Sequence, residues 1–118
     1  MRLNHLDLQA HDIQALAAFF VDHFDFTRIS NDRSPAICIL TGVDGFSLVL
    51  QRRTDDAPYP AGFHLGFVQP TAEAVRAHHE RLTAAGVAIG TVDVNARGTR
   101  FYLRAPEEIL VEVSSAGR

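Results

Sequence analysis

The chain has 118 residues, 47% of them hydrophobic and 21% charged. That balance is expected of one soluble domain and excludes wholesale disorder and a bilayer-spanning helix. The net charge of -3 carries no electrostatic footprint of a nucleic-acid binder, and all 11 basic residues are arginine, which excludes Schiff-base chemistry and a P-loop lysine. A single cysteine, Cys38, excludes an internal disulfide and a cysteine-rich zinc site. With no apolar signal core behind Met1, this fits a cytoplasmic protein without a membrane partner. A small-molecule enzyme, a small-molecule binder and an interaction module remain.

Residues 2–9 alternate polar and apolar side chains and predict a strand. Asp12 caps the helix that follows, whose apolar face is Ile13, Leu16, Ala17, Phe20 and Phe24. Short strands are expected near 26–31, 36–41 and 45–52, with Asp44-Gly45 as the turn between the last two. Residues 54–62 are rich in turn formers and read as a linker. Phe63–Val68 predicts another strand, and Thr71 caps a helix that runs to about Ala85 and stops at Gly86. Strands near 88–94, 99–104 and 108–115 complete the chain.

The order β-α-β-β-β therefore occurs twice. His5-Leu6 aligns with His64-Leu65, and cap Asp12 aligns with cap Thr71 at the same offset. The expected fold is α+β: two βαβββ modules, about 1–53 and 63–118, forming a curled mixed sheet around a cup, with the helices on the outer face.

Strand alternation sorts the side chains. Leu6 and Leu8 pack under the first helix, which turns His5, Asp7 and Gln9 to the cup. Phe63, Leu65 and Phe67 form the apolar row of the fifth strand, leaving His64 and Gly66 on the other side. Ile109, Val111 and Val113 do the same in the last strand, leaving Leu110, Glu112 and Ser114. Glu112 interrupts an otherwise apolar run, where an ionised carboxylate needs a cation, a strong donor or a metal. An ion pair with an arginine or a partly exposed edge position accounts for it equally simply, and each histidine alone reads as an ordinary hydrogen-bonded residue. Together, two imidazoles and a carboxylate make a donor set suited to iron, zinc, manganese or nickel. His11, His23, His78 and His79 read as structural or solvated, with one of the last two packing beside Val75 and Leu82.

Leu3-Asn4-His5-Leu6-Asp7-Leu8, Asp12-Ile13, Phe24-Asp25-Phe26, Gly62-Phe63-His64-Leu65, and Phe101-Tyr102-Leu103 with Leu110-Val111-Glu112-Val113 resemble the vicinal oxygen chelate superfamily over nearly the whole chain. That superfamily groups glyoxalase I, fosfomycin-resistance thiol transferases, bleomycin-resistance proteins and extradiol dioxygenases. The resemblance implies one divalent ion on His5, His64 and Glu112, and a small-molecule substrate. Where glyoxalase I carries a fourth-strand glutamate this chain has Val49, with Gln51 on the same face offering an amide. Tyr102 matches a tyrosine that the fosfomycin-resistance enzymes place near substrate. Those enzymes carry a threonine where Asp7 stands and use a lysine that this chain lacks. Their Asp-Pro-Asp-Gly turn is replaced by Ala105-Pro106-Glu107-Glu108.

The resulting expectation is a metal-dependent lyase, isomerase or thiol transferase that chelates two substrate oxygens. Asp7 or Tyr102 would move a proton, and Arg100 and Arg104 would hold an anionic substrate group. The alternatives are a metal-free sequestering protein and an extradiol-type dioxygenase. By the same resemblance, a homodimer is expected to share each site between chains.

Overall fold

The computed structural model describes residues 1–29 and 34–117. The chain divides into two compact units, Met1–Pro58 and Tyr59–Arg118. Each repeats the order β-α-β-β-β and carries its helix against a four-stranded mixed sheet.

The first unit contains β1 (His5–Ala10), α1 (Ile13–Phe24), β2 (Thr27–Arg28), β3 (Ile37–Thr41) and β4 (Ser47–Arg52), in the sheet order β1-β4-β3-β2. The Asp12 carboxylate accepts from the Ala15 amide at 3.0 Å, satisfying a first-turn N–H that has no helical partner. Leu16, Ala17 and Phe20 are fully buried on α1, against Leu8, Ala10, Cys38, Leu40 and Leu50 from the sheet. Phe20 packs edge-on to Phe26 at 5.7 Å between ring centroids, which ties the exit of the helix to its interior face. The Asp44-Gly45 turn forms as expected. Gly45 has φ +86°, and the Asp44 side chain accepts from the Phe46 amide at 3.0 Å.

The second unit contains β5 (His64–Val68), α2 (Ala72–Ala84), β6 (Asp93–Asn95), β7 (Gly98–Ala105) and β8 (Ile109–Ser115), in the order β5-β8-β7-β6. Thr71 Oγ1 accepts from the Ala74 amide at 3.0 Å, so both predicted caps are made. Gly86, at φ +81°, closes α2 by donating to Thr83, while Val87 donates to Leu82. This double closure needs a left-handed residue. Val75, His78 and Leu82 are the buried residues of α2, so His78 is the histidine that packs inward, edge-on to Phe101.

The two sheets have the same internal register. β1 runs parallel to β4 with Asp7 opposite Val49, and β5 runs parallel to β8 with Gly66 opposite Glu112. The antiparallel neighbours repeat too: Ile39 lies opposite Val49, and Tyr102 lies opposite Glu112. Val49 and Glu112 thus occupy the same place in the two copies.

Three expected strands differ. The strand expected at 2–9 begins only at His5. The strand expected at 26–31 pairs through Thr27–Arg28, with one further bond from the Ile29 amide to Ile39, and its residues 30 and 31 lie outside the described residues. The strand expected at 88–94 is replaced by an isolated Ile89–Leu103 bridge followed by β6. The reason is local. Gly90 still donates its amide to the Tyr102 carbonyl at 2.9 Å, but its own carbonyl accepts from the His79 ring at 2.8 Å. A side-chain donor takes the place of the ladder partner. No helix among the described residues is long and apolar enough to cross a membrane.

Candidate functional site

Alternation on β1 buries Leu8 and Ala10 and exposes His5, Asp7 and Gln9, as expected. Their ladder partners on β4 are Ser47, Val49 and Gln51, so one face carries all six. The Asp7 carboxylate receives two amides, Gln9 Nε2 at 2.6 Å and Gln51 Nε2 from across the ladder. An amide nitrogen can only donate, so Asp7 is held as an acceptor through both oxygens. Gln51 therefore turns its nitrogen to Asp7 and positions that carboxylate.

In the second unit β8 alternates buried Ile109, Val111 and Val113 with half-buried Leu110, Glu112 and Ser114. The side chain of Glu112 is 15% exposed and is held at both oxygens. Tyr102 donates its hydroxyl to Oε2, and Arg100 Nη1 stands 3.6 Å from Oε1. The arginine ion pair expected of a carboxylate in this apolar run is thus present. On the other flank Gly66 lies opposite Glu112, and a Cβ built there meets nothing within 4 Å. Open space therefore borders the carboxylate.

The two histidines share a further feature. His64 Nδ1 lies 3.0 Å from the Gly62 carbonyl, and His5 Nδ1 lies 2.8 Å from Asn4 Oδ1. Both oxygens accept, so each Nδ1 donates, and the tautomer that does so has its lone pair on Nε2. A backbone carbonyl or amide on one ring nitrogen is the usual support of a histidine that ligates a metal through the other. His64 also meets the Tyr102 ring edge-on at 6.5 Å.

His64, Tyr102, Glu112 and Arg100 are thus brought together on one face of the second sheet. Arg104 is not part of that cluster. Its Nη1 donates to the Glu108 carbonyl at 2.9 Å and closes the β7–β8 turn. His5, Asp7 and Gln51 are brought together in the first unit. Among the described residues no three His, Cys, Asp or Glu side chains gather at metal-binding spacing. Sequence reasoning missed Asn4 and Gly62 as histidine supports and Gln9 as a partner of Asp7. Only Gln9 left a signal, since it lies two residues from Asp7 on the same strand face.

The remaining histidines behave structurally. His11 pairs with Asp56 at 3.1 Å, His23 stacks edge-on to Phe19, and His79 binds Gly90.

Residues 2–113 match the family model of the Glyoxalase/Bleomycin resistance protein/Dioxygenase superfamily, and the chain belongs to that superfamily. Among solved structures, a possible glyoxalase from Bacillus cereus is 30% identical with a TM-score of 0.84, covering 97% of this chain and 98% of that one. Lactoylglutathione lyase from Agrobacterium tumefaciens is 20% identical with a TM-score of 0.80, covering 97% and 92%. A mutant of the fosfomycin resistance protein FosX from Listeria monocytogenes, complexed with Mn(II) and 1S,2S-dihydroxypropylphosphonic acid, is also 20% identical at a TM-score of 0.80, covering 99% and 92%. The comparison with curated proteins gives no match.

Proposed function

We propose that the protein is a divalent-metal-dependent enzyme that binds a small oxygenated substrate, with His5, His64 and Glu112 holding the ion. The observation that supports this best is the shared state of the two histidines. Each occupies the same place in its βαβββ unit, and each has Nδ1 committed to an oxygen acceptor, which reserves Nε2 for a ligand. Glu112 supplies the negative charge that two neutral imidazoles lack. Two nitrogens and one oxygen suit Mn, Fe, Zn or Ni. The Mn(II) complex of FosX lends support, since that protein shares the fold.

The metal would act as a Lewis acid on a chelated substrate oxygen. The chain's own groups would orient the substrate and hold its protons. Tyr102 carries a hydroxyl proton that the Glu112 carboxylate accepts, so proton and ligand are coupled. Asp7, fixed by Gln9 and Gln51, offers a carboxylate at the place opposite Val49. A side-chain carboxylate is thus present on the ladder where the fourth strand itself has none. In this reading each site combines His5 of one chain with His64 and Glu112 of a second copy, so the protein is a homodimer.

Metal analysis of protein purified without added ion or chelator, then titrated with each of the four metals, tests the reading. One equivalent per chain, lost in His5→Ala, His64→Ala and Glu112→Ala but kept in His79→Ala, is the expected result. No binding of any of the four by the wild-type chain or by a variant lacking Arg100 would leave a metal-free small-molecule binder. Retention of metal in His64→Ala with loss in His79→Ala would overturn the ligand assignment.

A further inference from the structure

We infer that Arg100 is an internal counter-cation for Glu112, which occupies its Oε1 side and must withdraw before a divalent ion binds there. This rests on the reading of Glu112 as a metal ligand.

The two oxygens of Glu112 are held differently. Oε2 receives the Tyr102 hydroxyl in a direct hydrogen bond, from the residue opposite it in the ladder. Among the described residues Oε1 faces the Arg100 guanidinium at 3.6 Å, an ion-pair distance longer than a hydrogen bond. The guanidinium is itself loosely held. Its Nη2 reaches the Arg97 carbonyl at 3.3 Å, and its buried Nε has no hydrogen-bond partner among the described residues. A guanidinium has five donors and ordinarily satisfies them when buried. This one is 11% exposed and, among the described residues, makes one long hydrogen bond and one ion pair. Tyr102 therefore fixes the carboxylate, and Arg100 balances its charge.

Charge then decides the consequence. With Arg100 in place the pair is neutral, so the half-buried carboxylate needs no other cation. A divalent ion arriving at Oε1 would meet a fixed positive charge in a poorly solvated place. Arg100 lies on β7 opposite Ser114, two ladder positions from Glu112 on the same face, and a flexible side chain there can swing aside without moving the strand. Metal affinity is set by the competition between the two cations.

Isothermal titration with Mn(II), with thermal unfolding of the metal-free protein, tests this on wild type, Arg100→Met and Arg100→Lys. Arg100→Met keeps the stem of the side chain and removes the charge. The inference predicts that it binds Mn(II) roughly tenfold more tightly than wild type. Its metal-free form unfolds at lower temperature, and added Mn(II) restores more stability than it gives wild type. Arg100→Lys keeps the charge and stays close to wild type. Should Arg100→Met fail to fold without metal, refolding it with Mn(II) present gives the same comparison, and rescue supports the inference. Equal or weaker Mn(II) binding by Arg100→Met overturns it while leaving the ligand assignment intact. Binding by Arg100→Met alone, with none by wild type, supports it in its strongest form. Binding by neither overturns it together with the metal reading.

Discussion

Tyr102 and Glu112 lie directly opposite each other on the β7–β8 ladder, and the Tyr102 hydroxyl donates to Oε2 of the Glu112 carboxylate. The pair joins a residue placed beside a substrate by family resemblance to one proposed as a ligand. A donor on one oxygen orients the other and fixes the carboxylate before any ion arrives. Tyr102→Phe removes that donor and little else. We expect Mn(II) affinity to fall roughly 10- to 100-fold, with the fold unchanged by circular dichroism. Unchanged affinity would show that the hydroxyl plays no part in holding Glu112.

The β7–β8 turn offers a test of local strain. Glu107 and Glu108 have φ of +69° and +58°, where a side chain is strained and glycine is not. The Arg104 bond to the turn uses the backbone carbonyl of Glu108, so it survives substitution of the side chain. Glu108→Gly should stabilise the protein by about 0.5–1 kcal/mol, read as a higher urea midpoint at constant slope. A lower midpoint would mean that the Glu108 side chain makes a favourable contact worth more than the strain.

Two glycines on the second sheet should respond oppositely. A Cβ on Gly98 would fall 2.0 Å from the Ser115 carbonyl, at φ +117°. Gly98→Ala must displace β8 backbone and should cost about 3 kcal/mol or more. Gly66 has nothing within 4 Å of its built Cβ, and Gly66→Ala should change stability by less than about 1 kcal/mol. Its effect belongs to the site. The added methyl narrows the open flank of Glu112, so Mn(II) binding should weaken while unfolding does not change. The same denaturation and titration series reads both.

Much of this was legible in the sequence because the signals were local. Asp12 and Thr71 cap their helices as predicted, since a cap requires only a side chain three residues from an amide. Strand alternation put His5, Asp7, Glu112 and Tyr102 on the face opposite the buried row, where the structure has them, because one buried face fixes the other. What alternation does not carry is which neighbours join across strands. Arg100 is aligned with Ser114, yet its long side chain reaches diagonally to Glu112. Gln51 is aligned with Gln9, yet it donates to Asp7. The strand expected at 88–94 had apolar residues in a plausible pattern, but it is reduced to the Ile89–Leu103 bridge and β6, and the His79 ring takes the Gly90 carbonyl between them. Such contacts depend on rotamers and backbone approach, which no periodicity encodes.

Assembly gives the sharpest prediction. His5 belongs to the first unit, and His64 and Glu112 belong to the second. In the proposed homodimer one site takes His5 from one chain and the other two ligands from its partner, and symmetry makes a second site the same way. His5→Ala and Glu112→Ala chains each fail alone, since every site in either homodimer lacks a ligand. When the two are unfolded, mixed equally and refolded, about half of the dimers are mixed. In a mixed dimer one site collects both defects. The other collects the intact His5 of the Glu112→Ala chain and the intact His64 and Glu112 of the His5→Ala chain. About one site in four across the whole sample should therefore bind Mn(II) again. If each site is built within a single chain, every site keeps its defect and no binding returns on mixing. A monomer in sedimentation at micromolar concentration would exclude the shared arrangement and leave the three ligands to a single chain.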